Sequence, residues 1–198
     1  MNRKQMQRME TRAALLDAAR RAFAGDGYER TTVDEVARKA EVSKGAVYFH
    51  FPSKDRLFAE LLASSIRCEQ QCVDRATALP PDMVLDALLM LVAGDPETPA
   101  QLWLEFWAAA SRQPFIAEEL QTLEQSVVQA AERIVLRAQS GRLADGSAPP
   151  REVAALVLAL RHSSHLSPTS SDPAGALQRA LLARALGAGR QQVLRRSG

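Results

Sequence analysis

Apolar residues recur every three or four positions along most of the chain, and no strand-like alternation persists for a useful length. Leu15, Leu16, Ala19, Ala22 and Phe23 make the first stripe, which Gly25 and Gly27 end. Thr32-Val33-Asp34-Glu35 has the capping-box pattern: the Thr32 hydroxyl can take the third amide of a helix while Glu35 reaches back to the cap's own N–H. A short helix through Val36, Ala37 and Ala40 follows. After Glu41-Val42, Ser43 can cap a second short helix running to about Phe49. Pro52 and Ser53 open a long helix through Leu57, Leu61, Leu62 and Ile66 to about Ala78.

Pro80-Pro81 is the next break, after which Asp82 can cap a helix over Met83–Val92. Residues 94–99 read as loop, Gln101–Arg112 as an aromatic helix, and the stretch from about Phe115 to Gln139 as a long amphipathic one. Residues 140–150, rich in Gly, Ser and Pro, suggest a flexible connection. Arg151–His165 is helical again, residues 166–171 are loop, Asp172-Pro173 caps a last helix to Leu186, and a frayed tail follows Gly187. The pattern predicts an all-α protein of about nine helices, with no internal repeat.

Composition narrows the picture modestly. The 198 residues are 46% hydrophobic and 24% charged, enough apolar material for a core and too little charge for wholesale disorder. The formal net charge is only +2, yet residues 1–60 hold twelve Lys/Arg against nine Asp/Glu, so the positive excess lies in the first third. No apolar run reaches membrane-spanning length, and the polar, basic N-terminus lacks a secretory pattern. Cys68 and Cys72 offer no disulfide framework, so a cytoplasmic location is expected.

Two short helices joined by a tight turn within the first fifty residues fit a helix-turn-helix. In that motif aliphatic residues pin the helices, here Val36, Ala40, Val42 and Val47. Small or polar residues then enter the major groove from the N-terminal end of the second helix, here Ser43, Lys44 and Gly45. Thr32 stands at a helix N-terminus, where amides and dipole favour an anion, and Tyr48 and His50 can donate to backbone oxygens. Lys54 begins the fourth helix, a second N-terminus that could face the duplex. Tyr48, Phe49, His50 and Phe51 cannot all point inward, because successive helical positions turn by about 100°. Val47 and Phe51 are the expected core members. The basic residues Arg3, Lys4, Arg8 and Arg12 are open to two readings, an arm on DNA or a solvated disordered terminus.

The run from Gly27 to Ala37 (GYERTTVDEVA), followed by that from Val42 to Leu57 (VSKGAVYFHFPSKDRL), closely resembles the DNA-binding domain of the tetracycline-repressor-like (TetR/AcrR) family over roughly residues 10–62. The resemblance implies an all-helical homodimer: an N-terminal three-helix DNA-binding domain, taken as residues 1–55, and a helical ligand-binding and dimerisation domain, residues 56–198. It assigns phosphate contacts to Thr32, Tyr48, His50 and Lys54 and base-facing roles to Ser43, Lys44 and Gly45. Two positions depart from the pattern. Val33 stands where some relatives use a basic side chain to read a base, and Phe49 where a Tyr or Trp is common.

Beyond residue 62 the resemblance is architectural, apart from the segment Leu102–Trp107 with Arg112 and Pro114. Trp103 and Trp107 share a helix face beside Phe106 and could line a pocket for a small hydrophobic or amphipathic effector, or simply pack in a bundle. Cys68 with Cys72 and His162 with His165 could in principle hold a metal, but buried thiols and surface or interface histidines are the simpler account. No metal or cofactor is expected. A hydrolase using Ser163 or Ser164 with His162 or His165 is disfavoured, since no nucleophile-elbow pattern or acidic partner accompanies them. The expected function is a repressor that a small molecule releases from a palindromic operator. The alternative is a ligand-independent dimer that recruits or blocks a protein partner.

Overall fold

A computed structural model describes residues 2–166 and 173–187. Among them are nine α-helices: α1 Arg3–Asp26, α2 Val33–Lys39, α3 Lys44–His50, α4 Lys54–Ala78, α5 Val84–Ala93, α6 Ala100–Ala110, α7 Pro114–Ser140, α8 Pro150–Leu166 and α9 Pro173–Ala185. No strand occurs among the described residues. The expected Asp172 cap, the loop through residue 171 and the tail beyond Gly187 fall outside them. No single helix among the described residues is long and apolar enough to cross a membrane.

The chain forms two compact units, one of residues 1–67 with 97–117 and the other of 68–96 with 118–198. The first unit therefore runs beyond the expected boundary at residue 55. It takes in the first half of α4 and the whole of α6, because α6 packs on α1 and supplies part of the same core.

In the first unit α1 begins about three turns earlier than its apolar stripe. The Asn2 side chain accepts from the Lys4 amide at 3.2 Å, and the Gln5 side chain accepts from the Asn2 amide at 3.2 Å, a reciprocal cap that draws Arg3, Lys4, Arg8 and Arg12 into regular helix. The described N-terminal residues are therefore helical and not a disordered terminus. At the other end Gly27, at φ +82°, donates its N–H to the Phe23 carbonyl and closes α1. Buried Ala18, Ala19 and Ala22 allow close approach to α1, and Phe58 of α4 fills the centre. Its ring lies 5.3 Å from Phe23, 4.5 Å from Tyr28 and 5.0 Å from Phe106.

The second unit packs α5, α8 and α9 on one another around an apolar core that includes Leu88, Leu91, Val135 and Val157. Asp82 does not cap α5; it lies inside a 3-10 turn, Pro81–Met83, that leads into Val84. The connection after α7 is tied down. The Gln139 side-chain amide donates to the Asp145 and Ala148 carbonyls, and the Asp145 N–H donates to the Leu186 carbonyl.

Among the described residues an ion pair is buried in this core. Arg161 Nη2 lies 2.8 Å from Glu69 Oε2, with the two side chains 6% and 1% exposed. Arg161 also donates to the Leu91 carbonyl at 2.9 Å, and Glu69 accepts from the Asp95 amide at 2.9 Å, so the pair stitches α4, α5 and α8 together. Gly94, at φ +67°, passes so close that an added Cβ would lie 2.6 Å from Arg161 Nη1. One turn along α8, His165 is buried and held down to about 4, first by desolvation and then by the charges of Arg161 and His162.

Removing one partner leaves a buried charge uncompensated. Arg161→Met alone should therefore destabilise the protein by about 3–5 kcal/mol in urea unfolding at fixed protein concentration. The double change Glu69→Leu/Arg161→Met should recover much of that loss; equal losses in the two variants would contradict the assignment. For His165 the unfolded chain takes up its proton near pH 6.5 and the folded chain only near 4. Stability should thus fall as pH drops through that window. His165→Gln should flatten the dependence of the unfolding midpoint on pH between those values, and an unaltered slope would rule His165 out as its source.

Candidate nucleic-acid interface

Helices α2 and α3 have seven residues each, too short to persist alone, and each is fixed by a cap and a few buried contacts. The Thr32 hydroxyl accepts from the Glu35 amide at 3.2 Å. The Glu35 carboxylate pairs with Lys39 at 3.3 Å, one turn on, so the reciprocal half of the expected capping box is not made. Ser43 caps α3 by accepting from the Ala46 amide at 3.1 Å. Between the helices Glu41 takes φ +56°, and the Val42 N–H donates to the Ala37 carbonyl at 3.0 Å, which makes the turn tight.

α3 divides sharply into two faces. Val47 and the following Phe51 are buried, whereas Ser43, Lys44, Gly45, Tyr48 and Phe49 are exposed, Phe49 by 65%. An added Cβ on Gly45 would meet only the Ser43 hydroxyl, 3.8 Å away, and the residue needs no left-handed backbone. Nothing among the described residues therefore requires glycine there. The Lys44 ammonium, also exposed, is 2.7 Å from Asp34 of α2. That hydrogen bond, reinforced by the charge of Asp34, holds it above its ordinary pKa. His50 is half-buried and pushed below its ordinary value, by burial first and then by Arg8 and Arg12 of α1.

Lys54 has a different setting from its expected phosphate contact. Its ammonium donates to the carbonyls of Tyr28, Glu29 and Thr31, at 2.9, 3.4 and 3.3 Å, and lies 4.3 Å from the centre of the Tyr28 ring. Tyr28 is itself anchored. Its N–H donates to Glu105 of α6 at 2.8 Å and its hydroxyl bonds Asp55; burial, followed by that bond, raises its pKa. Lys54 thus staples the α1–α2 loop that delivers Thr32. Sequence spacing does not reveal this role, or the Asp34–Lys44 pair, because the partners belong to different elements.

The aromatic residues offered as pocket walls belong to the first unit. Phe106 is fully buried against Phe58, Trp103 is 2% exposed with its ring edge-on to Phe106 at 5.6 Å, and Trp107 is half-buried. Cys72 is buried and its sulfur accepts from Arg75 at 2.8 Å. The hydroxyls of Ser163 and Ser164 donate to carbonyls of their own helix, Leu160 and Arg161, and His162 lies 2.7 Å from Glu124. No group of three or more His, Cys, Asp or Glu able to hold a metal occurs among the described residues.

Comparison with known proteins agrees with this geometry. Residues 15–61 match the family described as bacterial regulatory proteins, tetR family, and residues 80–188 match that described as BetI-type transcriptional repressor, C-terminal. The chain belongs to the tetR family of bacterial regulatory proteins. Over 55 residues it is 46% identical to the HTH-type transcriptional regulator SrpR of Pseudomonas putida, covering 28% of this chain and 26% of that protein. Over 71 residues it is 38% identical to the A-factor receptor protein of Streptomyces griseus, covering 34% and 26%. The chain thus spans about a quarter of the length of these curated relatives. A Saccharomonospora viridis protein solved in complex with choline superposes with a TM-score of 0.73 at 19% identity, covering 88% of this chain and 94% of that one. The SmeT–triclosan complex gives 0.68 at 23% identity, covering 89% and 91%. At those identities the likeness shows a shared fold.

The staple can be told from a phosphate contact without DNA. Lys54→Met should lower the stability of the free protein by about 1–3 kcal/mol, the usual worth of hydrogen bonds from a charged donor, in thermal melting. An unchanged melt would mean that Lys54 does not hold the loop.

Proposed function

We propose that this tetR-family regulator is a cytoplasmic repressor that binds a near-palindromic operator as a homodimer and leaves it when a small ligand binds the helical region of residues 56–198. One observation carries the DNA reading: an exposed glycine, Gly45, in the first turn of α3, unexplained by packing or backbone and flanked by exposed Ser43 and Lys44. Glycine weakens a helix, whereas a base edge approaching α3 closely would be helped by the missing side chain. Lys44 then reads bases by exchanging or sharing its Asp34 partner, while Thr32, Tyr48 and His50 position the protein on phosphates.

Exposed Ala155 and Ala159 on α8, and exposed Leu177 and Leu181 on α9, stand four apart in each helix and offer a small and aliphatic face for a second copy. Such a dimer would set two α3 helices about 34–36 Å apart, one turn of duplex. The ligand reading draws on the structural neighbours bound to choline and triclosan. With Trp103 and Phe106 closed into the core, the aromatic contribution to an effector site falls to Trp107. The same closure favours the second reading, a dimer that recruits or blocks a protein partner without a ligand. On either reading the chain is a binding protein and not an enzyme.

Selection of random duplexes by the purified protein, repeated with choline and with triclosan, should recover a palindromic site and any ligand-driven release. Lys44→Ala should weaken the selected duplex by about 10–100-fold, the worth of a good base contact, and an unrelated duplex far less. Gly45→Ala should raise the melting temperature yet weaken the selected duplex. Undiminished binding by both variants would exclude α3 as the reading helix.

A further inference from the structure

The first three turns of α1 lie beside the C-terminal end of α3, and the Arg8 guanidinium there has no ion-pair partner among the described residues. The Arg12 guanidinium lies 5.2 Å from the centre of the Phe51 ring and is paired with Glu60 at 2.5 Å. That of Arg8 lies 4.8 Å from the centre of the Phe49 ring and makes no hydrogen bond or ion pair with any described residue. Gln5, Arg8, Met9, Arg12 and His50 line an open groove of about 480 Å³. The His50 imidazole stands edge-on to Phe49 at 5.3 Å and feels both guanidiniums, so the three groups converge.

We propose that Arg8, laid on the exposed Phe49 ring and joined by His50, binds a backbone phosphate of DNA beside the groove that α3 enters. This inference rests on the DNA reading above and adds a contact from outside the helix-turn-helix. Stacking on a ring fixes the plane of a guanidinium while leaving its N–H fork free, the arrangement suited to bidentate phosphate recognition. A phosphate is favoured over a minor-groove base because Arg8 belongs to a capped helix held against the flank of α3. Minor-groove reading by a terminal segment is commonly the work of an N-terminal arm. It also gives the Phe49 position a use: a ring that cannot donate to a phosphate instead supports a side chain that can.

The test uses the full chain, the duplex recovered by selection and a 30-base-pair duplex of unrelated sequence, each titrated at several salt concentrations. Arg8→Ala should weaken both duplexes by a similar factor, roughly 3–10-fold, and lower the slope of log affinity against log salt by about one unit. Phe49→Leu should lose part of the same affinity, and adding it to Arg8→Ala should cost little more. Arg8 is exposed, so the variant should melt like the parent. A melt that drops would mark Arg8 as structural and overturn the assignment, as would an unchanged salt slope. A loss confined to the selected duplex would indicate base reading and overturn it as well. A selection that recovers no duplex would defeat the DNA reading itself, whereas normal parent binding with an unaffected Arg8→Ala variant would defeat this inference alone.

Discussion

Phe58 is where the first unit is held together. Its ring meets Phe23 from α1, Tyr28 from the α1–α2 loop and Phe106 from α6, all within 5.3 Å between centres. Through Tyr28 the contact becomes directional. The same residue carries the loop whose carbonyls Lys54 gathers and whose amide Glu105 accepts, so the loop's backbone groups near the core are satisfied by α4 and α6. Where Tyr28 sits decides where Thr32 can cap α2, and α2 with its tight turn decides where α3 begins. A seven-residue helix has no stability of its own to contribute. Its placement is inherited from this aromatic centre.

That dependence explains how polar residues divide between structure and recognition. Thr32 and Ser43 are both occupied as helix caps, and Lys54 as a staple, although each could also meet a phosphate. Gly45, Tyr48, Phe49 and Arg8 are exposed and bear little on the fold, which makes them the residues best placed to meet a partner. Lys44 stands between the groups, exposed but held by Asp34. An exposed pair of this kind is worth little to stability. Its effect is to choose the direction in which the ammonium points before any base is met.

The second unit solves a different problem. Its core is aliphatic, yet Glu69 and Arg161 lie inside it as a pair, with Gly94 leaving them room. Desolvating two charges gains little net stability over a well-packed apolar substitute. What the pair adds is definition, because Glu69 must find both Arg161 and the Asp95 amide, and Arg161 must also find the Leu91 carbonyl. Three helices thereby acquire one register.

The sequence by itself determined the all-helical class, most helix boundaries, the caps at Thr32 and Ser43, and the burial of Val47 and Phe51. These depend on local periodicity and on side chains reaching amides three residues away. It also carried the helix-turn-helix and its exposed Ser43-Lys44-Gly45 edge, which the motif's spacing makes visible. Only the tertiary structure decided that the Leu102–Trp107 segment joins the core of the first unit, that Lys54 serves the loop, and that Asp34 holds Lys44. It alone placed Arg161 on Glu69 and Arg8 on Phe49. Each of these contacts joins residues from different elements, and no periodicity records which faces meet. Even the N-terminus followed this division: Asn2 and Gln5 contained the signal for an early helix start, but what that helix does with Arg8 depends on α3 lying beside it.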